Sequence, residues 1–229
     1  VYTNRSRKNG DFRIYEIAKT YLPHALPLTE LPDEHDTLCV AYSGKEESFY
    51  TLKAAVEKIL KDYVADYKLV RSLSAYLHPG ISADVIVNGS KIGSFGKIHP
   101  VVAETYGIGE DVFVAEIDMS GFIDKQTPVV QFKSLPKFPS VDRDLAVTVD
   151  KETAVGDLID CIKSACGNYC ESVELFDVYS GEQIKKDKKS VAFNIRLRSD
   201  EGTLVDSQIQ EIMSKTVSVL DETYGAKLR

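Results

Sequence analysis

Between Asp144 and Arg229 the hydrophobic period alternates between that of a strand and that of a helix, in an order few folds accommodate. DLAVTVD (144–150) sets Leu145, Val147 and Val149 against Asp144, Ala146 and Thr148, the two-residue period of a half-buried strand. VGDLIDCIKSACG (155–167) then places Val155, Leu158, Ile159, Ile162 and Cys166 on one helical face, with Gly167 as its C-terminal cap. Two strand-like runs follow, ESVELFDVYSG (171–181) and SVAFNIRLRS (190–199). A long amphipathic helix carries Ile209, Ile212, Met213, Val217, Leu220 and Tyr224, ends at Gly225 and leads into AKLR. The order is βαββαβ, and it predicts a ferredoxin-like arrangement in which two helices cover one face of a four-stranded antiparallel sheet.

Upstream, GFIDKQTPVVQFKSLPKFPS (121–140) holds Pro128, Pro136 and Pro139 and keeps neither period. Each proline removes a backbone donor and pushes its predecessor toward extended geometry, so the chain divides here. The expected domains are 1–124 and 136–229, joined by a linker over 125–135. The first half reads as a mostly antiparallel sheet with few helices. Strands are expected at FRIYEIAKTYL (12–22), TLCVAYSG (37–44) and VFVAEIDM (112–119), and a hairpin turns at Asn88-Gly89. Ser48 is a suitable N-cap for a helix over 48–63, where Phe49, Leu52, Val56, Ile59, Leu60 and Tyr63 share a face.

Composition excludes several classes of function. Of the 229 residues 43% are hydrophobic and 28% charged, a globular rather than disordered balance. No apolar run approaches the ~18–20 residues a bilayer span needs. The formal charge of −7 disfavours binding duplex nucleic acid by bulk phosphate neutralisation. Cys39, Cys161, Cys166 and Cys170 are too few and too clustered for a secreted disulfide framework, and they read as reduced thiols of a cytosolic protein. The start, VYTNRSRKNGDFR, has neither an initiator Met nor a signal core, so the chain is expected to be a piece of something longer.

The uncovered face of the second sheet is where chemistry is expected. In SVAFNIRLR the core side is Val191, Phe193, Ile195 and Leu197, which leaves Ser190, Ala192, Asn194, Arg196 and Arg198 on the other side, with Ala146 beside them. The parity of ESVELFDVY is ambiguous. If Phe176 and Val178 face the helices, then Leu175, Asp177 and Tyr179 share the open face. A tyrosine, small residues and arginines there suit unpaired RNA, since aromatics stack on bases and arginines hold phosphates, and the KKDKK loop (185–189) adds cations. The same pattern also fits a solvated sheet, a dimerisation face or a small-ligand module, because the fold does not choose among these.

Catalytic signatures are missing from the sequence. The C-x4-C-x3-C cluster lacks the C-x2-C pair and nearby histidines of a zinc site. His78 and His99 each precede a proline and read as turn markers rather than an acid–base pair. GSKIGSFG lacks the lysine and hydroxyl of a phosphate loop.

Three stretches of the second half, LPKFPSVDRDLAVTVD, VELFDVYSGEQIKKDKKSVAF and ETYGAKLR, together resemble the ferredoxin-fold anticodon-binding domain that ends the beta subunit of bacterial phenylalanine–tRNA ligases. FRIYEIAKTYL, FYTLKAAVEKIL and LHPGISADVIVNGSKIGSFGKIHP resemble the class II synthetase-like, catalytic-like domain that precedes it in the same subunit. The resemblance implies that Tyr179 stacks on an anticodon base, with Ala146 and Ser190 lining the same spot. Asn194, Arg196 and Arg198 complete the expected tRNA-binding set. Arg143 and Asp144 fall in the same motif and are expected to be a half-buried structural charge pair.

A working class II site needs one arginine in the strand pair that holds ATP and another at the start of a late helix. Arg13 stands near the first position, and GSFGKIHP has no arginine at the second. The resemblance therefore implies a non-catalytic fragment with no cofactor of its own and no metal site. It further implies a cytoplasmic parent ligase that uses ATP and magnesium, in which the alpha subunit performs the chemistry in a heterotetramer of two alpha and two beta subunits. Phenylalanine tRNA is the expected RNA partner, with no DNA and no membrane. The rival readings are a ferredoxin-like regulatory module that senses a small molecule without RNA, and an autonomous enzyme using His78 or His99.

Overall fold

The computed structural model describes the chain except residues 64–65, 121–131, 133 and 182–183. It divides into two compact units, Val1–Gln131 and Phe132–Arg229. Most of the expected linker, 125–135, lies outside the described residues.

In the first unit a short helix α1 (Tyr2–Ser6) precedes β1 (Phe12–Leu22) and β2 (Asp33–Ser43), paired antiparallel along their whole length. Helix α2 (Phe49–Tyr63) follows, then β3 (Lys68–Arg71), β4 (Leu77–Val87), β5 (Ser90–Ile98), the six-residue α3 (Pro100–Thr105) and β6 (Val112–Asp118). The six strands form one antiparallel sheet in the order β1-β2-β6-β5-β4-β3. Ser48 caps α2 reciprocally with Thr51. The Thr51 N–H donates to Ser48 Oγ at 3.2 Å, and the Ser48 N–H donates to Thr51 Oγ1 at 2.9 Å. The helix buries Leu52, Val56 and Leu60 against Leu38, Val40, Val85, Phe95, Phe113 and Ile117. Asn88 (φ 50°) and Gly89 (φ 79°) both take the left-handed conformation of the type I′ turn expected between β4 and β5.

The second unit runs β7 (Val141–Asp150), α4 (Val155–Cys166), a single 3-10 turn, β8 (Cys170–Tyr179), β9 (Lys188–Leu197), α5 (Asp206–Tyr224) and β10 (Lys227–Leu228). The sheet order β10-β7-β9-β8 is that of the ferredoxin-like fold. Leu158, Ile162, Phe193, Ile195, Leu197 and Leu220 are fully buried between the helices and one sheet face. Gly225, at φ 61°, ends α5 in the left-handed conformation and turns the chain back along β7.

Two expectations are corrected here. Leu175 does not share the open face. It lies opposite Phe193, whereas Asp177 lies opposite Ala192, so Phe176 forms a bulge that resets the alternation of β8. A bulge adds one residue to one strand, and period-2 parity cannot be carried across it. Arg143 and Asp144 do not pair with each other either. Adjacent residues of a strand point to opposite faces. Arg143 reaches Asp206 at 3.9 Å and Asp144 accepts from Asn194 Nδ2 at 2.8 Å.

Candidate nucleic-acid interface

The sheet face opposite α4 and α5 is built by alternation. On β9 every second residue from Phe193 to Leu197 goes into the core, so Lys188, Ser190, Ala192, Asn194 and Arg196 form a column on the other side. Tyr179 lies opposite Ser190 on one flank, and Thr148 lies opposite it on the other. Ala146 lies opposite Ala192, one step along the same face.

What joins these residues is Arg229, which sequence reasoning did not single out. Its backbone N–H donates to the Ala146 carbonyl at 3.1 Å, extending the β10–β7 ladder by one residue. Its guanidinium reaches Ser190 Oγ at 3.4 Å and sits 5.4 Å from the centroid of the Tyr179 ring. A cation over an aromatic face in this range gains about 0.5–1 kcal/mol at an exposed site. Ser190 is only 3% exposed although no helix covers it. The signal was available in AKLR: alternation from Lys227, which lies opposite Thr148, returns Arg229 to the open face.

Gly181 also belongs to the site. A Cβ at this position would run into the hydroxyl and ring of Tyr179, so the segment after β8 passes directly against the tyrosine. The aromatic is therefore held between its own following turn and the Arg229 guanidinium.

The structure thus brings Tyr179, Ser190 and Ala146 together. It leaves Asn194, Arg196 and Arg198 further along the face, four to eight residues beyond Ser190, which is roughly 13–27 Å at the rise of a strand. Each of the three is already engaged. Asn194 donates to Asp144. Arg196 holds Asp142 with Nε at 2.8 Å and Nη2 at 3.4 Å. Arg198 holds Glu171 at 2.8 and 3.1 Å and also donates to the Phe138 carbonyl. The hydrogen bonds from Arg196 and Arg198 keep the Asp142 and Glu171 carboxyls below their ordinary range. Part of the KKDKK run is strand rather than loop: Lys188 and Lys189 open β9.

The sheet face of the first unit away from α2 is partly covered by the segment 72–76, which meets Asp84 and Glu116. Register places Glu16, Cys39, Glu116, Ser94 and Asp84 across this face in one row, with Asp118 and His35 beside them. His35 Nδ1 lies 2.7 Å from Asp118 Oδ2. Arg13 points the other way, toward α2, where it holds Glu47 at 2.7 Å and lies 4.9 Å from the Tyr42 ring centroid. Lys91 holds Asp84 at 3.0 Å, and a face with Glu16, Glu116 and Asp118 and without that arginine does not fit a triphosphate. His99 Nδ1 accepts the Val101 N–H and caps α3, whereas His78 lies inside β4, where its Nδ1 accepts the Gly80 N–H at a break in the β4–β5 register between Leu77 and Ser82, so the turn expected at His78 is an irregular stretch of strand. The four cysteines are free thiols, and burial raises the pKa of each. Among the described residues no group of three or more histidines, cysteines or carboxylates could hold a metal, and no helix is long and apolar enough to cross a membrane.

A ferredoxin-like sheet that presents an aromatic, a cation and small residues on its uncovered face defines a module suited to single-stranded nucleic acid. Residues 136–229 match the model of the ferredoxin-fold anticodon binding domain, and residues 1–119 match that of the phenylalanyl tRNA synthetase beta chain CLM domain. The chain belongs to the phenylalanyl tRNA synthetase beta chain family. It is 36% identical over 228 residues to the phenylalanine–tRNA ligase beta subunit of Clostridium tetani, covering 99% of this chain and 29% of that protein. The beta subunit of Fusobacterium nucleatum is 34% identical over 242 residues, covering 100% of this chain and 30% of the relative. The chain thus spans under a third of the length of these relatives. Among solved structures, a pyrrolysyl-tRNA synthetase from Desulfitobacterium hafniense superposes with a TM-score of 0.40 at 18% identity, over 51% of this chain and 43% of that one.

Proposed function

We propose that this chain is the C-terminal part of a phenylalanine–tRNA ligase beta subunit and reads the anticodon of phenylalanine tRNA on the open face of its second unit. The observation that carries this reading is the convergence of Arg229 on Tyr179, Ser190 and Ala146. Tyr179 supplies a π-face for an unpaired base. Ala146 and Ser190 are small enough to let the base approach the sheet, and Arg229 supplies the cation beside it. Asn194, Arg196 and Arg198 continue the same face toward the rest of the loop. Because each already carries a carboxylate, their share of the binding is smaller than that of the Tyr179 cluster.

In this proposal the domains run 1–124 and 136–229 with a linker over 125–135, and the first is a class II-like scaffold. The acidic face away from α2 and the inward-turned Arg13 support assigning adenylate formation elsewhere, to an alpha subunit in a two-alpha, two-beta assembly in the cytoplasm. ATP and magnesium belong to that parent reaction, which joins phenylalanine to tRNA. The match of residues 136–229 to an anticodon-binding model favours RNA over a small-molecule ligand.

The test is a binding titration of a phenylalanine tRNA anticodon stem-loop with the wild-type chain and Tyr179→Ala. Loss of one base–aromatic stack weakens binding by ~1–3 kcal/mol. An unchanged curve would remove Tyr179 from the interface.

A further inference from the structure

Beyond Ser190 the open-face column continues two residues to Lys188, about 7 Å further along β9 at the rise of a strand. There the ends of β7 and β9 enclose a hollow of about 520 Å³ lined by Lys151, Ser180, Gly181, Ile184, Lys185, Lys186 and Lys188. Four lysines and no carboxylate line it among the described residues. Lys188 is neutralised by Asp150 at 2.7 Å, and Asp187 and Glu152 are nearby acids that do not line the hollow. Lys151, Lys185 and Lys186 are exposed and, among the described residues, hold no ion pair.

The walls are set by backbone hydrogen bonds rather than by the lysines themselves. The Lys151 N–H donates to the Asp187 carbonyl at 2.8 Å, the Lys188 N–H to that of Lys185 at 2.9 Å, and the Ile184 N–H to that of Gly181 at 3.0 Å. Gly181 is shared: it lines the hollow and abuts the Tyr179 ring. The hollow is therefore contiguous with the base site, and among the described residues its lining is basic, with Asp187 and Glu152 close by, on a chain whose formal charge is −7.

We infer that Lys151, Lys185 and Lys186 form a phosphodiester-binding site that holds the RNA backbone next to the base stacked on Tyr179. This inference rests on the anticodon reading above and assigns it a second, sequence-independent half. Phosphate contacts fix register without reading bases, whereas the Tyr179 cluster discriminates. The two halves separate experimentally because only the phosphate-binding half depends steeply on salt.

The experiment uses the whole chain with labelled anticodon stem-loops carrying either the phenylalanine anticodon or an altered one, over about 50–200 mM salt. The variant Lys151→Ala/Lys185→Ala/Lys186→Ala is compared with wild type and with Lys163→Ala/Lys215→Ala, which removes exposed lysines from α4 and α5. For the triple variant the slope of log K against log salt becomes shallower by about 2, at roughly 0.7 per phosphate of a single strand. Its ratio of affinities for the two stem-loops stays at the wild-type value, and the helix control keeps the wild-type slope. A wild-type slope in the triple variant, with wild-type protein still discriminating the stem-loops, overturns the lysine site and leaves the base site standing. A flattening in the helix control of about two thirds that of the triple variant also overturns it, since the effect then follows the number of charges removed rather than their place. Failure of wild-type protein to distinguish the stem-loops overturns the anticodon reading and this site with it.

Discussion

A single side chain decides how Tyr179 is presented. Arg229 pins the ring face and Ser190 at once, and Gly181 leaves room for the ring on the side of its own turn. Gly181→Ala forces the ring out of this position, so stem-loop affinity falls about as far as with Tyr179→Ala, by ~1–3 kcal/mol, while the urea midpoint stays within error. A wild-type binding curve for Gly181→Ala would show that the ring's observed position is not the one that binds. The cysteines make the opposite point, since here burial works against reactivity. Cys166 is 3% exposed, its Sγ lies 3.4 Å from Thr216 Oγ1, and burial raises its pKa. Thiolate is the reactive form, so iodoacetamide at pH 8 labels Cys166 far more slowly than a free thiol, and unfolding in urea restores the ordinary rate. Fast labelling of Cys166 in the native chain would contradict its burial.

Elements whose pattern is carried by period alone were legible in the sequence. The βαββαβ order, the Ser48 cap and the Asn88-Gly89 turn each follow from local chemistry that the structure repeats. The failures came where a non-local register intervenes. The bulge at Phe176 depends on how β8 meets β9, and no residue within ESVELFDVY announces it. The partner of Arg143 is more than sixty residues away on α5, and the role of Arg229 appears only when β10 is laid on β7. In the first sheet the contact between β5 and β6 is equally hidden. A Cβ on Gly93 would overlap the Glu116 carbonyl and the Ile117 Cα, both backbone atoms that cannot swing aside. Gly93→Ala therefore costs about 1–3 kcal/mol as an overpacking substitution, read as a lower urea midpoint. A wild-type midpoint would mean that β5 and β6 separate more easily than their register implies.

For the chain as a whole, acid sensitivity follows from carboxylates held in their charged form. Glu47 is kept below the usual range chiefly by its hydrogen bond from Arg13. At Asp84 burial pushes upward, but hydrogen bonds from Ser72, Lys91 and Ser94 outweigh it and the net shift is downward. A carboxyl with a lowered folded pKa contributes stability that is complete above its unfolded pKa, ~4, and is lost as pH falls through the folded value. The urea midpoint is therefore flat from pH 7 to pH 5 and declines below about pH 4, less steeply in Asp84→Asn. A decline already complete at pH 5 would point to other groups.

The central claim, that the open face of the second unit reads an anticodon, is tested most directly by following backbone amide shifts of the chain as a phenylalanine tRNA anticodon stem-loop is added. Saturable shifts centred on Ala146, Tyr179, Ser190 and Arg229, and diminished when the anticodon is altered, are the expected result. Shifts confined to the helical face of α4 and α5, or none at millimolar RNA, would contradict it.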